Sequence, residues 1–111
     1  MINVKFSNGD GYISLKLTGH AGAAAEGEDI YCASASILAY TVGQMAHILY
    51  DSKRLRKKPT VKLKKGDAEI TMKPKKESFQ EVMHTYFMAE VGYALLAHNF
   101  PEYIQLESFM V

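Results

Sequence analysis

The sequence predicts an α+β fold with elements in the order ββαββαβ, a mainly antiparallel sheet with two helices packed on it. Three observations predict it. Short stretches alternate apolar and polar residues at period two, and two longer stretches between capping signals and helix breakers repeat at the helical period. Size is the third: 111 residues, 48% of them apolar, suffice for one self-supporting core, so residues 1–111 read as a single domain.

The elements follow in order. Ile2, Val4 and Phe6 share one parity, the run Ser7-Asn8-Gly9-Asp10-Gly11 turns the chain, and Ile13, Leu15 and Leu17 then alternate with Ser14, Lys16 and Thr18; this is a hairpin. A loop rich in Gly and Ala occupies residues 19–28, after which Asp29 reads as an N-cap, its carboxylate accepting from the free amides of a first helical turn. Ile30, Ala33, Ile37, Leu38, Met45, Ile48 and Leu49 are expected on the core side of that helix, which fades at Asp51-Ser52-Lys53. After Pro59, Val61 and Leu63 alternate with Lys62 and Lys64, Gly66-Asp67 turns the chain, and Ala68, Ile70 and Met72 complete a second hairpin. Pro74 closes it, Ser78 or a neighbour caps a second helix marked by Phe79, Val82, Met83, Tyr86 and Leu95, and Pro101 stops that helix after Asn99. The tail, residues 103–111, is apolar on both parities and is expected in the middle of the sheet or at an interface. Two strand-strand-helix halves suggest a duplicated topology, without a repeat at the residue level.

Composition excludes several classes. One cysteine permits no disulfide within the chain and no multi-cysteine zinc site, and an unpaired thiol fits a reducing compartment, so a cytoplasmic protein is expected. Asn3 and Lys5 interrupt the first apolar positions, so no targeting peptide is expected. No membrane partner is expected either, because stretch 30–50 carries Ser34, Ser36, Thr41, Gln44 and His47. His47, His84 and His98 are dispersed over two helices, so neither a metal nor another cofactor is expected. The net charge of +1 conceals a polarity. Eleven of the thirteen Lys and Arg residues lie between positions 53 and 76 against Asp67 and Glu69, giving +9 there and −8 elsewhere.

Candidate chemistry concentrates around the first loop and the start of the first helix. With Asp29 as the cap, Cys32 is the third helical residue, where unpaired amides and the positive end of the helix dipole favour a thiolate. His20 follows a strand, and a loop could fold it back onto the thiol to make a Cys-His pair. Asp29 has two available roles, capping the helix or orienting an imidazole. Ser36, one turn beyond Cys32, shares its helix face, and Gly19, Gly22 and Gly27 give the loop freedom to close over a bound peptide. A structural reading competes with each role: a lone Cys among apolar residues as a small buried hydrophobe, Asp29 as a cap alone, the loop as a connection.

Gly19-His20-Ala21, Gly27, Asp29-Ile30, Cys32-Ala33 and Ser36 together resemble the signature of the ribosomal-processing cysteine protease family, Prp. The resemblance implies a bacterial, cytoplasmic cysteine endopeptidase that removes a short N-terminal extension from a large-subunit ribosomal protein, number twenty-seven of that subunit, and that forms homodimers. Carried onto this sequence, it implies Cys32 as nucleophile, His20 as base, Asp29 and Ser36 as supporting residues, and Gly19, Ala21, Gly22 and Gly27 in the loop that covers the substrate. It implies a ribosomal protein precursor as partner, with bulky apolar residues before the cut and basic residues after it. Backbone amides at the helix start are the expected oxyanion donors, and the −8 remainder is a candidate surface for the basic part of the substrate. Tyr31 stands where the family usually has a small aliphatic residue, and Ser34 and Ala35 replace an Ala-Val pair, so Tyr31 is expected to bear on subsite shape.

A second reading, of another class, treats the Cys-His cluster as incidental. Here the basic segment 53–65, with Lys53, Arg54, Arg56, Lys57, Lys58 and Lys65, makes the chain a ribosome- or RNA-associated binding module. A solvated helix end and an edge hairpin protected by lysines account for the same charges structurally.

Overall fold

The computed structural model describes residues 1–20 and 29–108. Its elements run β1 (Ile2–Gly9), β2 (Tyr12–Thr18), α1 (Ile30–Asp51), β3 (Thr60–Lys64), β4 (Asp67–Met72), α2 (Phe79–Asn99) and β5 (Ile104–Ser108), with one 3-10 turn, Lys76–Ser78, leading into α2. This is the expected α+β order. Both predicted hairpins form, each closed by a two-residue turn whose second residue, Gly11 or Gly66, holds a positive φ of 82° or 70°. Side chains rarely tolerate that region, which explains glycine at both positions.

The five strands lie in the order β3-β4-β2-β1-β5. All neighbouring pairs are antiparallel except β1 with β5, which are parallel from Ile2 opposite Ile104 to Phe6 opposite Ser108. The tail strand therefore occupies an edge and not the middle of the sheet. Its described residues bury on one parity only, Ile104 fully and Leu106 and Ser108 partly; residues 109–111, which carried the second apolar parity, lie outside the described residues.

One face of the sheet is dry and the other wet. Val4, Phe6, Ile13, Leu15, Ile70 and Met72 are all at most 1% exposed and face the helices. At the centre Phe6 meets Tyr86 edge-on, with ring centroids 6.4 Å apart, and Tyr93 at 5.9 Å. The two phenols are buried but not orphaned: Tyr86 donates to the Ile70 carbonyl at 2.9 Å and Tyr93 to the Ala35 carbonyl at 2.8 Å. Burial raises the pKa of both tyrosines, since the charged phenolate would lose its hydration.

α1 buries the expected Leu49 and packs Leu38 and Met45 against the core, but its isoleucines do not face inward. Ala35, Ala39, Val42, Gly43, Ala46 and Leu49 face the core, whereas Ile30, Ile37 and Ile48 are roughly half or more exposed. The reason is close approach. A Cβ on Gly43 would sit 3.3 Å from both Leu63 and Val61 of β3, so the helix lies close to the sheet there and small residues fill most of this face, with Val42 and Leu49 beside them. Leu38 closes on Gly92 of α2 in the same way, within 2.9 Å of where a Cβ would stand. α1 is long and apolar enough to cross a bilayer by length and composition alone, yet here it lies along β3 and β4.

Candidate active site

β2 delivers Gly19 and His20 to one end of the sheet, and α1 begins at the same end. Asp29 caps the helix as the sequence predicts: its Oδ1 accepts from the Tyr31 amide at 2.9 Å and from the Cys32 amide at 3.1 Å. The Asp29 side chain is buried, so two otherwise orphaned donors are satisfied away from water. The Ala33 amide bonds to the Asp29 carbonyl at 3.0 Å. This corrects one expectation: the amides of Tyr31, Cys32 and Ala33 are committed to the cap, and none of the three is available to an oxyanion in this conformation.

Cys32, Ser36 and Tyr40 succeed one another at intervals of one helical turn and line a cleft of about 760 Å³. That size suits an extended peptide segment or a compact ligand. The opposite wall carries Gly19 and His20, and Ile2, Leu17 and Ala68 make part of its apolar surface. Four predicted site residues, His20, Asp29, Cys32 and Ser36, thus border one space together with Gly19. Cys32 is half-buried and packs against the core edge. Ala21, Gly22 and Gly27 lie outside the described residues.

The third wall is not legible in the sequence. The β3–β4 turn brings Lys64, Lys65, Gly66 and Asp67 to the cleft, because β4 pairs with β2 and sets Asp67 opposite Thr18. Only the strand order reveals this, so no local signal could have found it. The turn grips the histidine. Gly19 donates to the Gly66 carbonyl at 3.0 Å, and a Cβ on Gly66 would fall 2.6 Å from His20 Nε2 and 2.9 Å from its Cε1. The imidazole rests on the bare Cα of Gly66. On the rim, Lys62 and Asp67 pair at 2.6 Å; the hydrogen bond from Lys62 holds the Asp67 carboxyl below its usual range, and Asp67 holds the Lys62 amine above its own.

Tyr31 turns away from the cleft. Its ring stacks on Tyr103 at 4.5 Å and meets Phe100 at 4.8 Å, joining the start of α1 to the connection between α2 and β5. It therefore anchors the helix end and does not line the cleft. Among the described residues no group of three or more His, Cys, Asp or Glu side chains is arranged to hold a metal ion.

The sequence profile of the family described as cysteine protease Prp matches residues 1–105. The chain belongs to the Prp family of cysteine proteases. Among solved structures, an essential ribosomal processing protease Prp from S. aureus, with a covalently linked product peptide, is 20% identical with a TM-score of 0.71. The match covers 97% of this chain and 99% of that one. The same Staphylococcus protease with a substrate peptide gives 19% and 0.66, covering 97% and 99%. A protein from Streptococcus mutans is 26% identical with a TM-score of 0.68, over 97% of this chain and 93% of that one. No curated protein matches this chain. Prp membership makes the chain a cysteine protease.

The basic segment 53–65 does not form one surface. Lys64 and Lys65 stand at the cleft, while residues 53–58 lie past the C-terminal end of α1, a helix of 22 residues and hence about 33 Å long. Two of its arginines are tied to the fold: Arg54 pairs with Glu81 at 3.2 Å, and Arg56 donates to the carbonyls of Pro74 and Gly11 at 3.2 and 2.8 Å.

Proposed function

We propose that this Prp-family protease removes the N-terminal extension of a large-subunit ribosomal protein, number twenty-seven, by acyl transfer from Cys32. The observation that carries this reading is that Cys32, on the first turn of α1, and His20, at the end of β2, border one peptide-sized cleft. The relatives' descriptions as ribosomal processing proteases, one holding a substrate peptide and one a covalently linked product, support the substrate class.

In the proposed mechanism His20 takes the Cys32 proton and the sulfur attacks the scissile carbonyl carbon. The tetrahedral intermediate collapses, the carbon–nitrogen bond breaks, and the imidazolium gives its proton to the leaving amine, leaving a thioester on Cys32. Water then attacks with His20 as base, and breaking the carbon–sulfur bond releases the new C-terminus and restores the thiol. Asp29 supports the pair by fixing the first turn of α1, and Ser36 offers its hydroxyl to sulfur or substrate. Oxyanion donors come from outside the three capped amides, and the segment holding Ala21, Gly22 and Gly27 is the proposed substrate-covering loop next to Gly19.

The protein works in this reading as a cytoplasmic homodimer. A thiol nucleophile stays reduced in reducing surroundings, and the outward faces of α1 and α2 present Ile30, Ile37, Met88 and Leu95, each 60% or more exposed, an apolar area suited to a second copy.

The test is cleavage of a peptide spanning the extension junction. Cys32→Ala is expected to abolish cleavage while leaving the thermal transition in place. Cleavage at the wild-type rate in that variant refutes the assignment of the nucleophile, and failure of the wild type to cut the junction refutes the substrate. Sedimentation of Met88→Asp tests the dimer, which is expected to dissociate.

A further inference from the structure

The face of the sheet away from the helices is built for a ligand the protease reaction does not use. We infer that this open face, together with the basic end that adjoins it, binds single-stranded RNA. A groove of about 390 Å³ runs over β1, β2 and β4, lined by Lys5, Lys16, Lys73 and Tyr12 with the hydroxyls of Ser7, Ser14 and Thr71. Ser14 and Thr71 bond to each other across the strands at 2.9 Å, so the groove floor is polar and ordered. Lys5 stands directly opposite Lys16 in the ladder. Glu107 of β5 stands opposite Lys5 and Glu69 of β4 opposite Lys16, so the row holds both signs and the lysines are positioned by acidic neighbours. Glu69 is the one acid among the lining residues, and it lies between Lys16 and Lys62 in the neighbouring pairs.

The positive field continues beyond the groove. The Arg56 amide bonds to the Lys73 carbonyl, the Lys75 amide bonds to the Arg54 carbonyl, and Leu55 bridges Pro74. Segments 53–58 and 73–76 are thereby laced together, with Lys53, Lys57, Lys58 and Lys76 outward and exposed. The Arg56 guanidinium reaches the carbonyl of Gly11, beside Tyr12. A polyanion tracking the groove at Lys16 and Lys73 therefore meets this cluster next.

Three features select RNA. Tyr12 is 38% exposed at the groove's end, an aromatic ring on which a base can stack, with lysines placed to meet the phosphates. The hydroxyl row suits ribose 2′-hydroxyls, which DNA lacks. Among the described residues the groove is lined by no aliphatic side chain, the kind a lipid surface or a protein hot spot uses. The groove leaves the catalytic cleft free, because β2 separates Tyr12 from His20 by its full seven residues, about 24 Å.

The experiment is fluorescence anisotropy of a labelled oligouridine with the full chain across a salt series. Wild-type protein is expected to bind at low salt. Lys16→Gln with Lys73→Gln, both exposed and fold-neutral, weakens binding about tenfold and lowers the slope of log K against log salt by about 1.4, two single-strand phosphate contacts. Tyr12→Ala weakens it at least about fivefold. None of these variants changes peptide cleavage, which separates this surface from the proposed protease reading. Absence of oligouridine binding at low salt overturns the inference, as does binding indifferent to the lysine pair. Equal affinity for oligodeoxythymidine refutes RNA selection, and equally effective competition by polyglutamate reassigns the surface to an acidic protein.

Discussion

Asp29 carries a prediction that separates its two possible roles. The side chain is 7% exposed and satisfies two amides, those of Tyr31 and Cys32. Replacing it by Ala removes both acceptors from a buried position, so the cost falls at the upper end of the usual capping range, about 2 kcal/mol. For a domain of this size that lowers Tm by roughly 8 °C. Asn keeps an oxygen in the same place and caps as well as Asp; it loses only the charge at the positive end of the helix, about 0.5 kcal/mol and roughly 2 °C. Thermal melting followed by circular dichroism measures both. Peptide cleavage supplies the second axis. If Asp29 acts by capping, Asp29→Asn retains kcat/KM within about threefold, while Asp29→Ala loses activity because the turn that carries Cys32 frays. A carboxylate needed to orient His20 instead makes Asn the wrong partner for the imidazole, and such losses reach about 10⁴-fold in a serine protease triad. An Asp29→Asn variant that melts near wild type but loses more than about a hundredfold in activity refutes the capping account.

Gly66→Ala is expected to lower stability by about 1–2 kcal/mol through its left-handed φ and to cut kcat at least about tenfold by displacing the His20 ring. Gly11→Ala, equally left-handed but in the distal turn, is the control that melts lower yet keeps kcat; if both lose activity alike, the grip on His20 is not the cause. Lys64→Glu with Lys65→Glu converts a basic cleft wall into an acidic one, so KM for a peptide with basic residues after the cut falls severalfold at low salt with kcat unchanged, an effect that high salt removes; an unchanged KM places that part of the substrate elsewhere. Tyr86 and Tyr93 have pKa values raised by burial. Below about pH 10 the phenols are neutral folded and unfolded, so their contribution is whole; above it only the unfolded chain ionises, and stability falls as pH rises. A spectrophotometric titration is expected to show Tyr86 and Tyr93 ionising only with unfolding; their ionisation in the folded protein contradicts it.

Much of the fold was legible because its boundaries are set by local chemistry. Gly11 and Gly66 mark turns that need positive φ, Asp29 announces the start of α1 through its cap, and Pro101 ends α2 at Asn99. Long-range pairing is what alternation cannot encode. The apolar tail reads from its own residues as a central strand or one at an interface; among the described residues it pairs with β1 only, on the outside of the sheet, which excludes the central placement. The outward turn of the α1 isoleucines has a related cause: hydropathy weights Ile30 and Ile37 above Ala35 and Ala39, whereas the distance between α1 and β3, fixed by contacts such as Gly43 on Leu63, rewards smallness.

The same logic divides the site. His20, Asp29, Cys32 and Ser36 were readable because they lie within a short stretch whose cap and helix period place the last three along one face at the start of α1. The wall that holds His20 was not, because Gly66 reaches it only through the pairing of β4 with β2. The charge polarity changes meaning for that reason. Read along the chain it is one basic block; folded, Lys64 and Lys65 fall at the cleft while Lys53, Lys57 and Lys58 lie at the far end of α1. Electrostatic influence fades within about 8 Å at physiological salt, so the two groups act independently. In the proposed readings the first bears on which peptides enter beside Cys32, and the second on the RNA the protein rests against.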